Sequence, residues 1–167
     1  MSRRRVPTPS QTVGPFFGFA LRFDRDSEAA DPGAPDAIRI EGQVLDGDGQ
    51  VVTDALIEVW HDDQFARCRT DGDGAFHFVV RKPPLVRRVD GRESAPHLNV
   101  TVFARGLLRH LVTRIYFPDE EEANATDPIL GLVDAERRHT LIARRDGDVL
   151  TCDMRLQGPD ETAFFAL

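Results

Sequence analysis

Apolar and polar residues alternate with a period of two in several short runs of this chain. Ile38, Ile40, Gly42 and Val44 alternate with Arg39, Glu41 and Gln43, and Ala55, Ile57 and Val59 alternate with Leu56, Glu58 and Trp60. That period puts successive side chains on opposite faces of an extended strand. Residues 76–80, 98–104, 111–117 and 149–156 continue the pattern and predict four more strands. Between the runs lie Asp46-Gly47-Asp48-Gly49, Asp71-Gly72-Asp73-Gly74 and Asp146-Gly147-Asp148, read as hairpin turns. A calcium loop needs further ligands, a closing Glu and flanking helices, which these segments do not supply. Helix is scarce. Asp119–Asn124 predicts a short turn with acidic residues at its start, and Asp134–His139 a second with Asp134 as N-cap. Many short strands with Asp-Gly turns point to a β-sandwich or barrel.

The chain of 167 residues fits one domain able to bury roughly 70% of its unfolded surface. Residues 1–17 read as an extended N-terminal arm and 18–37 as an irregular excursion. The net charge of −7 excludes a broad nucleic-acid surface. Met1-Ser2-Arg3-Arg4-Arg5 is a basic tail followed by Val6-Pro7-Thr8-Pro9 and not by an apolar run, so no secretion signal is expected. No run approaches transmembrane length. Cys68 and Cys152 form no disulfide framework, which suits a reducing, cytoplasmic setting.

The strand 97–105 is the place to look for chemistry. His97, Asn99, Thr101, Phe103 and Arg105 share one face, while Leu98, Val100, Val102 and Ala104 make an uninterrupted core face. One imidazole and one amide are not a site for a redox metal, which takes three or four strong ligands. By itself His97 reads as a hydrogen-bonded structural histidine, and Cys68 as a buried structural thiol.

Four further segments carry a resemblance. Ile40-Glu41-Gly42-Gln43-Val44, with Gly49, Val52 and Ile57-Glu58-Val59-Trp60, resembles the signature of the intradiol ring-cleaving dioxygenases. Thr8-Pro9-Ser10-Gln11-Thr12-Val13-Gly14-Pro15-Phe16-Phe17 is similar to their N-terminal segment, and Arg114-Ile115-Tyr116-Phe117 and Thr140-Leu141-Ile142-Ala143 to later landmarks. Within the family, Phe103-Ala104-Arg105-Gly106 and Glu161-Thr162-Ala163-Phe164-Phe165 bring it nearest to the alpha subunits of protocatechuate 3,4-dioxygenases. The expected fold is therefore all-β, a sandwich of mostly antiparallel short strands with one or two short helices.

The resemblance implies a ferric ion held by two tyrosinates and two histidines, and this sequence departs from that set. Where the family has Gly-x-Tyr, Ala66-Arg67-Cys68 stands; no tyrosine lies between Lys82-Pro83 and His97; and His-x-His reads His97-Leu98-Asn99. The lone Tyr116 lies on another strand, at a framework position. The implied role is a subunit that binds no metal. A homologous beta subunit would hold the Fe(III) cofactor, and the two would form a higher-order hetero-oligomer acting on protocatechuate and O2. Thr12, Gly14 and Pro15 would then line the substrate pocket at the subunit interface, with Arg105 as a nearby cation. Two alternatives remain: a structural β-sandwich assembly or binding module without active-site contact, and a self-contained site around Cys68 and His97.

Overall fold

The computed structural model describes residues 7–14, 16–87 and 91–166. The basic tail 1–5 and Pro15 lie outside them. Helix α1 (Phe17–Ala20) is followed by β1 (Ala37–Leu45), β2 (Leu56–His61), β3 (Gln64–Arg69) and β4 (Ala75–Arg81). Then come β5 (Val86–Arg87), β6 (Glu93–Ser94), β7 (His97–Phe103), β8 (Leu111–Tyr116) and α2 (Glu121–Thr126). Two 3₁₀ segments, Leu130–Leu132 and Ala135–Leu141, precede β9 (Arg144–Asp146), β10 (Val149–Thr151) and β11 (Met154–Arg155).

Two sheets face each other, as a sandwich. In the first, β1 pairs antiparallel with β4 along one edge and parallel with β10 and β11 along the other, with β9 beyond β10. The second is antiparallel throughout, in the order β3-β2-β7-β8. Ile40, Val44, Phe76, Phe78 and Leu150 from one sheet meet Ile57, Val59, Val100, Val102 and Ile115 from the other in a single buried cluster. Burial of this apolar surface is the main driving force for the fold. A satellite cluster of Ala95, Tyr116, Leu130, Leu141 and Ala163 lies where residues 117–142 and the C-terminal segment pack on the far end of the second sheet.

The long strand expected over 149–156 is divided at Cys152–Asp153. Gly42 explains why: a β-carbon there would sit 2.0 Å from the Cys152 carbonyl oxygen and 2.8 Å from the Phe76 ring. Only glycine lets the two backbones approach this closely. The Asp71–Gly74 turn also differs from expectation. Asp71 caps it by accepting from the Asp73 and Ala75 amides, but it joins β3 in one sheet to β4 in the other. The other two Asp-Gly turns are hairpins, closed by the Leu45–Val51 bridge and the β9–β10 pair. The helical turns fall at 121–126 and 135–141, and Asp134 occupies the N-cap position without a side-chain capping bond.

The excursion 18–37 does more than connect. Arg67 N–H of the outer strand β3 donates to the Asp26 carbonyl at 2.6 Å, Val79 N–H of β4 donates to the Ser27 carbonyl, and Glu28 bridges Val79. Residues 26–30 thus cap one outer edge of each sheet along the same side. Arg67 clamps this strap. It donates to Glu58 Oε1 at 2.5 and 2.8 Å and to the Leu21 carbonyl at 2.6 Å, and lies over the Phe23 and Phe65 rings.

Candidate functional site

Among the described residues, the N-terminal arm is joined to the turn after β7 by a hydrogen bond: the Gly106 amide donates to the Thr12 hydroxyl oxygen at 3.1 Å. Gly106 has φ +87, a left-handed conformation that lets the chain turn sharply just past Arg105. Buried Ala104 fixes the root of that turn, so Arg105 projects from a rigid base with 70% of its side chain exposed. Gly14 is exposed and its carbonyl accepts from the Phe17 amide at 3.2 Å, starting the turn into α1. The structure therefore brings Thr12 and Arg105 together and places Gly14 two residues along the same arm.

Arg105 has a partner the sequence reading missed. Its guanidinium Nε pairs with a carboxylate oxygen of Asp54. The strand register accounts for it: Leu56 faces Phe103, so continuing the β2–β7 ladder by two residues puts Asp54 opposite Arg105. That signal needed the register and was absent from either segment alone. Phe17, Gly18, Thr53, Asp54, Arg69 and Arg105 line a cleft of about 240 Å³ between the arm and the sheet. Gly18 lies against Arg69; a β-carbon there would be 2.9 Å from its Nε. An exposed ion pair of this kind contributes about 0–1 kcal/mol to folding, so stability alone gives a weak reason for the pair.

The residues at the family's ligand positions do different work. His97 is buried, and its Nδ1 donates to the Ala95 carbonyl at 2.7 Å. Its ring meets His61 edge-to-face at 5.5 Å and Tyr116 at 5.6 Å. Burial lowers its pKa to about 4 against the opposing hydrogen bond, with Arg114 and His61 adding to the decrease, so it is neutral at pH 7. Tyr116 is wholly buried; it donates to Asp127 Oδ1 at 3.0 Å and its oxygen accepts from Arg114 at 3.2 Å. Burial raises the phenol pKa, so it stays protonated within this Arg114–Asp127 network.

Asp127 holds this end together. Its carboxylate also accepts from the Ala95, Ile129 and Leu130 amides at 2.9, 2.9 and 2.7 Å. Cys68 faces the core opposite Ile57, and burial raises its thiol pKa. In the β2–β3–β7 register, Cys68 belongs to the inner face and His97, with Asn99, to the outer one. That separation removes the self-contained Cys68–His97 site. Among the described residues no group of three or more His, Cys, Asp or Glu is placed to hold a metal ion.

A protocatechuate 3,4-dioxygenase alpha chain from Burkholderia cepacia is 42% identical, covering 95% of this chain and 96% of its own length. The chain belongs to the protocatechuate 3,4-dioxygenase alpha-chain family. A second alpha chain, from Pseudomonas putida, is 40% identical over 95% of both chains. A beta chain from Burkholderia cepacia is 28% identical over 85% of this chain and 74% of its own. No family model matches. Among solved structures, the dioxygenase domain of a Streptomyces sp. SirexAA-E fusion protein superposes with a TM-score of 0.63 at 22% identity, covering 90% of this chain and 99% of that one. Hydroxyquinol 1,2-dioxygenase from Pseudomonas putida DLL-E4 gives 0.61 at 20%, covering 91% and 67%. Those two show the shared intradiol sandwich fold. Intradiol chemistry uses ferric iron, and the donors of this chain do not fit it. The Tyr116 phenol is tied up in a closed network, Cys68 lies on the opposite face, and the neighbouring His97 and His61 imidazoles alone make no cage for a trivalent ion.

Proposed function

We propose that this chain is the non-iron-binding alpha subunit of a protocatechuate 3,4-dioxygenase, an enzyme active only as a heteromer with its beta subunit. The observation that carries the reading is the joined Thr12–Gly106–Arg105 unit: an arm tied by one hydroxyl beside an outward cation, on a chain whose own donors do not suit the iron. Thr12, Gly14 and Pro15 form walls of the substrate pocket at the subunit interface, with residues 1–17 acting as the arm that delivers them. Arg105 faces the carboxylate of protocatechuate, a group that guanidinium recognises well. Fe(III) bound by the homologous beta subunit supplies the chelation and O2 chemistry. This chain orients the ring and its carboxylate and excludes water from the closed pocket. The net reaction inserts both oxygen atoms of O2 between the two hydroxyl-bearing carbons, giving 3-carboxy-cis,cis-muconate.

The unit works as part of a higher-order hetero-oligomer in the cytoplasm. No helix among the described residues is long and apolar enough to cross a membrane. One observation favours a purely structural module as a second reading: Arg105 already has an ion-pair partner in Asp54. Two measurements separate the readings. Expressed alone, the chain should carry no stoichiometric iron and open no catechol ring, whereas co-expression with a matching beta chain should give turnover of protocatechuate. Stoichiometric iron with full activity in the lone chain refutes the proposal. In the heteromer, Arg105→Ala should raise KM for protocatechuate about tenfold, as expected for losing a charge-assisted contact. An unchanged KM and kcat in an intact assembly establishes the structural reading instead.

A further inference from the structure

We propose that Asp54 is a positioning residue that sets Arg105 for recognition of an aromatic carboxylate, and so helps determine specificity for carboxylated over plain catechols. The inference rests on the pocket reading of Arg105 given above and extends it to a residue that makes no contact with substrate itself.

Asp54 takes the Nε of Arg105, and among the described residues it is the one ion-pair partner of that side chain. A guanidinium offers a carboxylate either its Nε side or the end made by its two terminal nitrogens. A guanidinium carries five N–H donors, more than one carboxylate takes, so Arg105 keeps donors for a ligand. Burial differs between the partners in the sense this role requires. Asp54 keeps only 18% of its side chain exposed, whereas Arg105 keeps 70%. The better-buried carboxylate is the anchor, and the exposed cation is the element being aimed.

Both residues stand on stiff supports. Asp54 sits between Ala55, which is wholly buried and whose amide donates to the Thr70 hydroxyl at 3.0 Å, and the turn after Val52. Arg105 follows Ala104, also buried, and precedes the Gly106 amide that binds Thr12. A free surface arginine must lose rotamer freedom each time it holds a ligand. Fixing it beforehand against the neighbouring strand removes much of that cost. The negative charge of Asp54 opposes attraction of an anion, and that repulsion reduces the gain from a fixed guanidinium.

The test uses the assembled heteromer, with protocatechuate and catechol as the paired substrates. The readout is the ratio of their kcat/KM values, because a loss of fold or assembly would lower both together. Asp54→Ala should lower the protocatechuate-to-catechol ratio about two- to tenfold, mainly through KM, as expected for returning one side chain to its free rotamers. Asp54→Asn, which keeps the side-chain size and one acceptor oxygen, should lower it less, and supplies the reading if the alanine variant does not assemble. Adding Asp54→Ala to Arg105→Ala should leave the ratio of the single Arg105 variant unchanged. A ratio unmoved or raised by both Asp54 variants, while Arg105→Ala lowers it, overturns the inference and leaves the pocket reading intact. A ratio that Arg105→Ala itself fails to lower overturns the pocket reading and the inference with it.

Discussion

Replacing Asp127 by asparagine exchanges one carboxylate oxygen for an amide nitrogen inside a four-donor cage. In the wild type, Oδ2 accepts from the Ala95 amide, and Oδ1 accepts from the Tyr116 hydroxyl and the Ile129 and Leu130 amides. The less costly orientation of the new amide keeps its oxygen toward the three donors and turns its nitrogen toward Ala95 N–H. That leaves a buried donor without a partner, at about 1–3 kcal/mol. The three remaining bonds also lose the charge that made them roughly twice as strong as neutral ones. Together the loss is about 3 kcal/mol, or a Tm lower by about 6–12 °C for a chain of this size.

The pH dependence gives an independent check. Burial pushes the Asp127 pKa up, but the Leu130, Tyr116, Ala95 and Ile129 donors outweigh it and hold the value below that of an ordinary aspartate. A carboxylate depressed in the folded state contributes its full stability above the unfolded pKa, about 4, and loses it as pH falls through the folded value. The gap between wild type and Asp127→Asn should therefore narrow below about pH 4. Urea unfolding of the heteromer at pH 7 and at steps down to pH 3 measures both quantities. A variant as stable as wild type at pH 7, or a gap that does not change with pH, refutes the cage as the source of stability.

Two further outcomes follow from positions already described. Gly42→Ala should cost about 3 kcal/mol or more, because the added methyl meets a backbone carbonyl that cannot rotate away. Thermal unfolding should show a Tm drop of at least about 6 °C. His97, with a folded pKa of about 4, is protonated more readily in the unfolded chain, so wild-type stability should fall as pH drops from 6.5 towards 4. His97→Phe should remove about one proton from that slope in urea titrations, and an unchanged slope counts against a buried neutral imidazole.

Most of the sandwich was legible because its strands alternate cleanly. The inner row Leu98, Val100, Val102 and Ala104 needed nothing beyond period two, and all four are buried. Strand β3 was not legible, since its pattern is inverted: Gln64, Ala66 and Cys68 point inward while Phe65, Arg67 and Arg69 point out. Gln64 is accommodated inside because its amide group bonds both the N–H and the C=O of Arg81. Strand β9 has no apolar face, as Arg144, Arg145 and Asp146 are all exposed. At the candidate site, Thr12, Gly14 and Arg105 were found through the family resemblance. Asp54 and Arg69 were not, because their closeness to Arg105 depends on which strands neighbour each other and in what register.

The strap across β3 and β4 bears on how this polypeptide behaves before it meets another chain. Uncapped outer strands present a row of free amide and carbonyl groups, a template on which like chains stack into insoluble ladders. Residues 26–30 occupy the Arg67 N–H of one such strand and the Val79 N–H and C=O of the other from within the same molecule, and lie across both edges. A truncation that removed the sequence before about residue 31 would keep nearly the whole apolar core and still produce a sticky product. The protection against self-stacking resides in a segment with almost no regular secondary structure.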